Sequence, residues 1–254
     1  MPGSYPDLAG QVVVITGGSR GIGARTARSF ARQGAKVCVV GRDRDALASV
    51  VADLTSAGGT AISEVADVTD SAALAGVRDE VEARLGPVDV LAAFAGGQGF
   101  PVPSAALSEE RWRQILDSDL TSAFLTIQAF LPGMLERGRG SILTMSSAAG
   151  RQPSQANLAY GVANAGLVML TRQLATELGP HGIRVNCIAP SSIRTEKVEA
   201  RMPAEVKEQV AAAHPLRRLG STDDVAQTAL FLASDAAAWL TGVTIDVAGG
   251  RVTG

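Results

Sequence analysis

The chain has 254 residues, 23 Lys and Arg against 25 Asp and Glu, a formal net charge of -2 and a pI near 5.8. That length suffices for one large α/β domain with a well-buried core, and the balanced, interspersed charge offers no basic face to a nucleic acid or an anionic membrane. Residues 1–8 contain Pro2, Gly3, Pro6 and Asp7 with neither a basic start nor an apolar core, so no signal peptide is expected, and the apolar runs fall short of the ~18 residues of a membrane span.

The β-branched run from Val12 to Ile15 predicts a strand buried on both faces, followed by the glycine turn Thr16-Gly17-Gly18-Ser19-Arg20-Gly21-Ile22-Gly23 and a helical pattern over 24–33. Strand, glycine turn and helix make a phosphate-binding unit. Glycines let backbone amides approach an anion, and the helix points its positive end at it. No Lys-Ser/Thr pair follows Gly23, which removes the Mg-nucleotide P-loop reading. Cys38 and Cys187 fall in apolar strand patterns and are expected as buried free thiols, consistent with a reducing, cytoplasmic setting.

Further along, 36–41 predicts strand two, 43–57 a helix, 60–66 strand three, 70–85 a helix and 88–93 strand four. A long helix over 108–137 has Ser108 as N-cap and Glu109 and Glu110 to complement its dipole. Strand five is expected over 141–147, a long helix over 157–178 and strand six over 183–189. A loop with short helices, 191–219, is expected to cover the substrate; a helix over 223–234 and a last strand over 243–247 complete the chain. Seven strands with helices between them predict an α/β fold, a Rossmann-type doubly wound parallel sheet with helices on both faces, as a single domain over 1–254.

The residue that closes strand two decides between cofactors. An acidic residue there grips the ribose 2′-OH of NAD, whereas Arg accommodates the 2′-phosphate of NADP. Arg42 ends the strand and Arg20 sits in the glycine turn, so the pair favours NADP(H); Asp43 leaves NAD(H) open. Ser147 closes strand five, and Tyr160 lies thirteen positions on, at the start of the next helix, where a hydroxyl and a phenol can converge on one substrate oxygen.

With Thr16-Gly17-x-x-x-Gly21-Ile22-Gly23, Asp67-Val68 after strand three, the Ser147/Tyr160 spacing and Ile183-Arg184-Val185-Asn186-x-Ile188-Ala189-Pro190, the chain resembles a short-chain dehydrogenase/reductase over essentially its whole length. The resemblance implies that Gly17, Arg20, Ile22 and Gly23 hold the pyrophosphate side, Asp67 and Val68 meet the adenine, Ser147 orients the substrate carbonyl and Tyr160 exchanges a proton with its oxygen. It also assigns Ser19, Gly21, Ala95, Gly96, Asn164, Pro190, Ser191 and Ile193, with Tyr160, to the cofactor.

Two positions depart from that pattern. The family's Tyr-x-x-x-Lys reads Tyr160-Gly161-Val162-Ala163-Asn164, and the helix Asn that braces the Lys appears as Asp119. In the family that Lys lowers the phenol's pKa and binds the nicotinamide ribose; here Asn164 could donate to the ribose but cannot supply charge, and Asp119 would raise the Tyr160 pKa. Ala93-Phe94-Ala95-Gly96 stands where the family has Asn-Asn-Ala-Gly, and Pro190-Ser191 where it has Pro-Gly. Among the lysines only Lys197, in the expected flap, could stand in.

Two readings follow. One is an NADP(H)-dependent carbonyl reductase or alcohol dehydrogenase, working mainly as a reductase because a neutral phenol is already the donor that reduction needs. The other is a protein on the same fold that no longer moves hydride: a cofactor-binding pseudoenzyme, or a non-redox enzyme with Tyr160 and Asp119 as acid and base. His181 and His214 read as surface histidines, Trp112 and Trp239 as buried, and no metal is expected. The resemblance and the apolar faces of the long helices imply a homotetramer, or a dimer if one interface is lost. Loops 96–102, 151–158 and 191–202, with Gln98, Phe100, Gln152, Asn157, Ile193 and Met202, would line a pocket for a small-molecule carbonyl or alcohol.

Overall fold

Strand β1 (Val12–Thr16) is buried at every position, as its β-branched run requires when helices cover both faces of a sheet. The computed structural model describes residues 3–252, so Met1 and Pro2 of the stretch read for a leader lie outside the described residues. With β2 (Lys36–Gly41), β3 (Thr60–Val65), β4 (Val90–Ala93), β5 (Gly140–Met145), β6 (Ile183–Pro190) and β9 (Thr244–Val247), β1 forms a 7-stranded sheet in the order β3-β2-β1-β4-β5-β6-β9. Every pairing in it is parallel.

Side chains that alternate along each strand feed two separate cores. Val13 and Ile15 join Phe30 of α1 (Gly21–Arg32), Leu47 of α2 (Arg44–Ser56) and Leu230 of α9 (Thr222–Ala233) on one face. Val12 and Val14 join Val81 of α3 (Ser71–Arg84), Phe130 of α5 (Ser122–Arg137) and Leu178 of α6 (Leu158–Leu178) on the other. The strand order reverses between β1 and β4, which opens a crevice at their carboxyl ends, where open α/β sheets bind ligands.

Helix ends follow from their caps. Asp43, Asp70, Ser108 and Asn157 accept hydrogen bonds from first-turn amides and stand just outside the helices that the sequence pattern began at them. The long helix expected over 108–137 is present: α4 (Glu109–Leu116) runs on into α5 through one wide π-helical turn, Asp117–Thr121, without leaving right-handed helical geometry. The segment after β6 holds a two-residue pairing of β7 (Ile193–Arg194) with β8 (Gly220–Ser221), and helices α7 (Glu196–Arg201) and α8 (Ala204–Ala212).

Cys38 and Cys187 are buried and unpaired, and His181 is exposed. Two expectations need correction. His214 is buried, since both of its ring nitrogens are satisfied inside the fold: Nδ1 meets the Val210 carbonyl at 2.7 Å and Nε2 the Ser191 hydroxyl at 2.9 Å. Trp239 is 99% exposed, because it stands on the turn between α9 and β9 where no element of the same chain packs over it; Trp112 is half-buried. No helix among the described residues is long and apolar enough to cross a membrane.

Candidate active site

At the end of β1 the chain turns at Gly17 in the left-handed region (φ +67°), where a Cβ would lie 3.0 Å from the Phe94 carbonyl oxygen. Gly23 is packed closer still, since a Cβ there would come within 2.2 Å of the Gly17 carbonyl oxygen. Helix α1 begins at Gly21, and its N-cap, Arg20, contributes no side-chain hydrogen bond. Its first-turn amides therefore face the crevice without a side-chain partner, which is the donor set that an anionic group takes up. Thr16 ties the floor of the turn together, its hydroxyl accepting from the Phe94 and Ala95 amides at 3.0 and 3.2 Å.

Beside the turn, at the ends of β2 and β3, four charges interlock. Arg20 pairs with Asp43, whose other oxygen caps α2 by accepting from the Ala46 amide at 3.1 Å. Arg42 lies 3.6 Å from Asp67 and is largely exposed. Hydrogen bonds from the Thr69 amide and hydroxyl, and then the Arg42 charge, hold the Asp67 carboxyl below its ordinary pKa.

The chemical end of the crevice is built from β5 and α6. Ser147 follows β5, its hydroxyl accepting from the Ala149 amide at 3.2 Å. Tyr160 sits in the first turn of α6, its amide bound by Asn157 Oδ1 at 2.9 Å. Burial raises the Tyr160 pKa above its ordinary value and the Asp119 carboxylate adds to the rise, while the Ser147 and Asn164 side chains oppose it. Asn164 is buried and donates from its amide to the Tyr160 carbonyl one turn back, at 2.8 Å.

The loop after β4 lies over Tyr160 so closely that a Cβ on Gly99 would meet the phenol ring at 3.0 Å. Four side chains hold this loop. Asp119, buried in the π-turn, accepts from the Gly97 and Gln98 amides (2.9 and 3.1 Å) and from the Ser118 hydroxyl (2.5 Å). The wide turn is what brings that carboxylate to the crevice. Asn157 donates to the Gln98 and Phe100 carbonyls at 2.8 and 2.9 Å. Lys197 donates to the Gly97 carbonyl, and Arg111 to Gln98 Oε1, both at 2.9 Å.

Every candidate catalytic or cofactor residue named from the sequence borders one cleft of about 1040 Å³. Lys197 borders it too, whereas the loop-holding role of Asn157 and the presence of Arg111 were not read from the sequence. An Asn ahead of a helix signals an N-cap, which it is, but the second use of its amide across 57 to 59 residues leaves no local pattern. Arg111 reads as one charge of a surface helix. Among the described residues, no group of three His, Cys, Asp or Glu side chains is placed to hold a metal ion.

A family model described as enoyl-(acyl carrier protein) reductase matches residues 17–251. The chain is 38% identical over 243 residues to cis-4-hydroxycyclohexanecarboxylate dehydrogenase of Sinomonas cyclohexanicum, covering 96% of this chain and 97% of that protein. A solved structure from Beutenbergia cavernae, described as an NAD(P)-dependent gluconate 5-dehydrogenase and holding NADP, superposes with a TM-score of 0.91 at 34% identity, covering 98% of this chain and 99% of that one. A 3-oxoacyl-[acyl-carrier protein] reductase from Brucella melitensis with bound NAD superposes with a TM-score of 0.90 at 33% identity, covering 98% and 94%. The sheet order, the glycine turn and these likenesses together make the chain a member of the short-chain dehydrogenase/reductase family of oxidoreductases, which use nicotinamide cofactors.

Proposed function

We propose that this chain is an NADP(H)-dependent oxidoreductase of small carbonyl and alcohol substrates that runs chiefly as a reductase. The observation that carries the reading is Tyr160: a phenol beside Ser147 whose pKa is raised by burial and by Asp119, with an amide rather than an ammonium one turn on. A dinucleotide suits the residues present, since the glycine turn would be filled by any Cβ and the uncapped start of α1 offers amides to its phosphates. When bound, the nicotinamide supplies the hydride.

In reduction Ser147 holds the substrate oxygen by its hydroxyl, and Tyr160, already protonated, donates its phenolic proton to that oxygen as the alcohol forms. The phenolate is then reprotonated from solvent. In oxidation Tyr160 must start as phenolate, the form that burial and Asp119 disfavour, so the two directions are affected unequally. Asn164 takes the place of the Lys without its charge. Preference for NADP(H) is supported by Arg42, exposed at the rim, and by Asp43, whose two oxygens are engaged by Arg20 and the Ala46 amide and so are poorly available to a ribose.

The reading of Asp119 as the base of a non-redox enzyme has less support, because three donors already hold its carboxylate. We also assign the segment 191–219 to covering the substrate within a single domain, and a homotetramer to the functional unit, in a cytoplasmic setting. Exposed Phe124 on α5, Val162 and Met169 on α6 and Trp239 beside β9 support the assembly.

NADPH consumption measured against a panel of ketones tests the central reading. Tight NADPH binding with no oxidation by any carbonyl would leave a cofactor-binding protein in place of an enzyme. The double variant Asn164→Lys with Asp119→Asn restores the proton relay, and a large gain in rate is expected, above all for alcohol oxidation.

A further inference from the structure

Three cations gather around the loop after β4: Lys197 and Arg111 border the cleft, and Arg201 stands with Lys197 over the Phe100 ring. Lys197, on α7, lies with Nζ 4.8 Å from the centre of the Phe100 ring while donating to the Gly97 carbonyl. Arg201, one turn on, covers the same ring at 5.1 Å. Arg111, from α4, reaches into the loop between them through Gln98. Each is held in place by an aromatic face, a carbonyl or an amide oxygen. Among the described residues none of the three is ion-paired.

Of the nearby carboxylates, Glu196 borders the cleft and turns toward Gly21, where its Oε2 would stand 3.8 Å from an added Cβ, and the others are committed elsewhere. Glu199, on the same short helix, is bound by Lys207 and Arg194. Asp119 is saturated by the Gly97 and Gln98 amides and the Ser118 hydroxyl, and Asp117 is met by the Thr121 hydroxyl at 3.5 Å. Partial burial and the repulsion of Arg201 and Arg111 lower the Lys197 pKa, and the Asp119 charge opposes the shift. Ordered like charges beside a cleft raise the local concentration of an anion and bind it by charge-assisted hydrogen bonds once it arrives.

We propose that the substrate of this cleft carries a carboxylate, which Lys197, Arg201 and Arg111 receive over the Phe100 ring while its carbonyl or alcohol carbon lies at Ser147 and Tyr160. This rests on the oxidoreductase reading above and adds the charge class of the substrate. The guanidinium forks suit the flat, two-oxygen geometry of a carboxylate, and Phe100 supplies an apolar platform for the carbons that join it to the reacting centre.

The test uses keto acids in which one to five carbons separate ketone from carboxylate, each paired with its methyl ester, as substrates with NADPH. For at least one spacing kcat/KM for the acid is expected to exceed that for the ester by tenfold or more. The Lys197→Met/Arg201→Met double variant should bring that ratio to within twofold, and 0.5 M salt should erode the preference of the wild type. Esters used as well as acids at every spacing, with turnover intact, overturn the proposal and leave the oxidoreductase reading standing. If neither acids nor esters turn over, that reading is what fails, and calorimetry decides the charge class: 3-phenylpropanoate should bind the NADP-loaded protein at least tenfold more tightly than its methyl ester, and equal binding overturns the proposal.

Discussion

Asp119 does two things: its carboxylate holds the loop that roofs Tyr160, and its charge adds to the rise that burial gives the phenol's pKa. The two can be separated. In Asp119→Asn the amide oxygen can still accept from the Gly97 and Gln98 amides, so the fold is expected to survive while the Tyr160 pKa falls. Because a lower phenol pKa means earlier loss of the proton donor, the alkaline limb of kcat/KM for ketone reduction should move to lower pH, and alcohol oxidation should gain. A pH profile in both directions checks this, and an unmoved limb would refute the electrostatic role. At the rim, Arg42→Ala should weaken NADPH binding about tenfold, the scale of a lost charge-assisted contact, with little change for NADH. Ser147, Tyr160 and the glycine turn were legible in the sequence because each sits at a fixed offset from a strand end. The work of Asn157 was not, since the carbonyls it holds are distant in the chain and carry no side-chain signature.

Among the elements, the strands of the seven-stranded sheet were legible to within a residue or two, because a sheet buried on both faces leaves runs such as those of β1 and β2 dense in β-branched and apolar residues. The π-turn between α4 and α5 was not legible, for the helix runs on through it and one wide turn leaves no signal in the apolar period, although it buries Asp119. Helix α9 begins with a capping box in which Ser221 and Asp224 bind each other's amides, and Arg218 clamps the carboxylate. That clamp, with the Ser221 donors, holds the Asp224 carboxyl well below the usual range. A depressed pKa stabilises the fold at pH values above the unfolded carboxyl's, about 4, and the benefit fades as the medium is acidified below it. Asp224→Ala should cost about 1 kcal/mol at pH 7, a drop in Tm of about 2–4 °C. Urea unfolding should show the gap to the wild type narrowing as pH falls below about 4.

For the molecule as a whole, the reversal of strand order gathers residues from the first, middle and last thirds of the chain around one cleft, which is why motifs spread over the sequence converge in space. The segment 191–219 is tethered at its base by buried His214, which links the α8 end to Ser191 beside the crevice. Its burial could not be read from one histidine before a proline. His214→Ala should loosen the segment, raising KM for substrate more than it lowers kcat. Assembly is open to a direct trial: Trp239→Glu should shift sedimentation from the mass of a tetramer toward smaller species, whereas an unchanged profile would remove this face from the interface.

The lone indole on the turn before β9 also makes the protein its own indicator. The chain has 2 tryptophans, so a Trp112→Phe variant shines from Trp239 alone. An indole bathed in water emits at longer wavelength than one pressed into a neighbouring subunit. If the proposed tetramer covers this face, a dilution series followed by colour of emission would trace the parting of subunits without dye or label, and an unshifted emission would count against that interface.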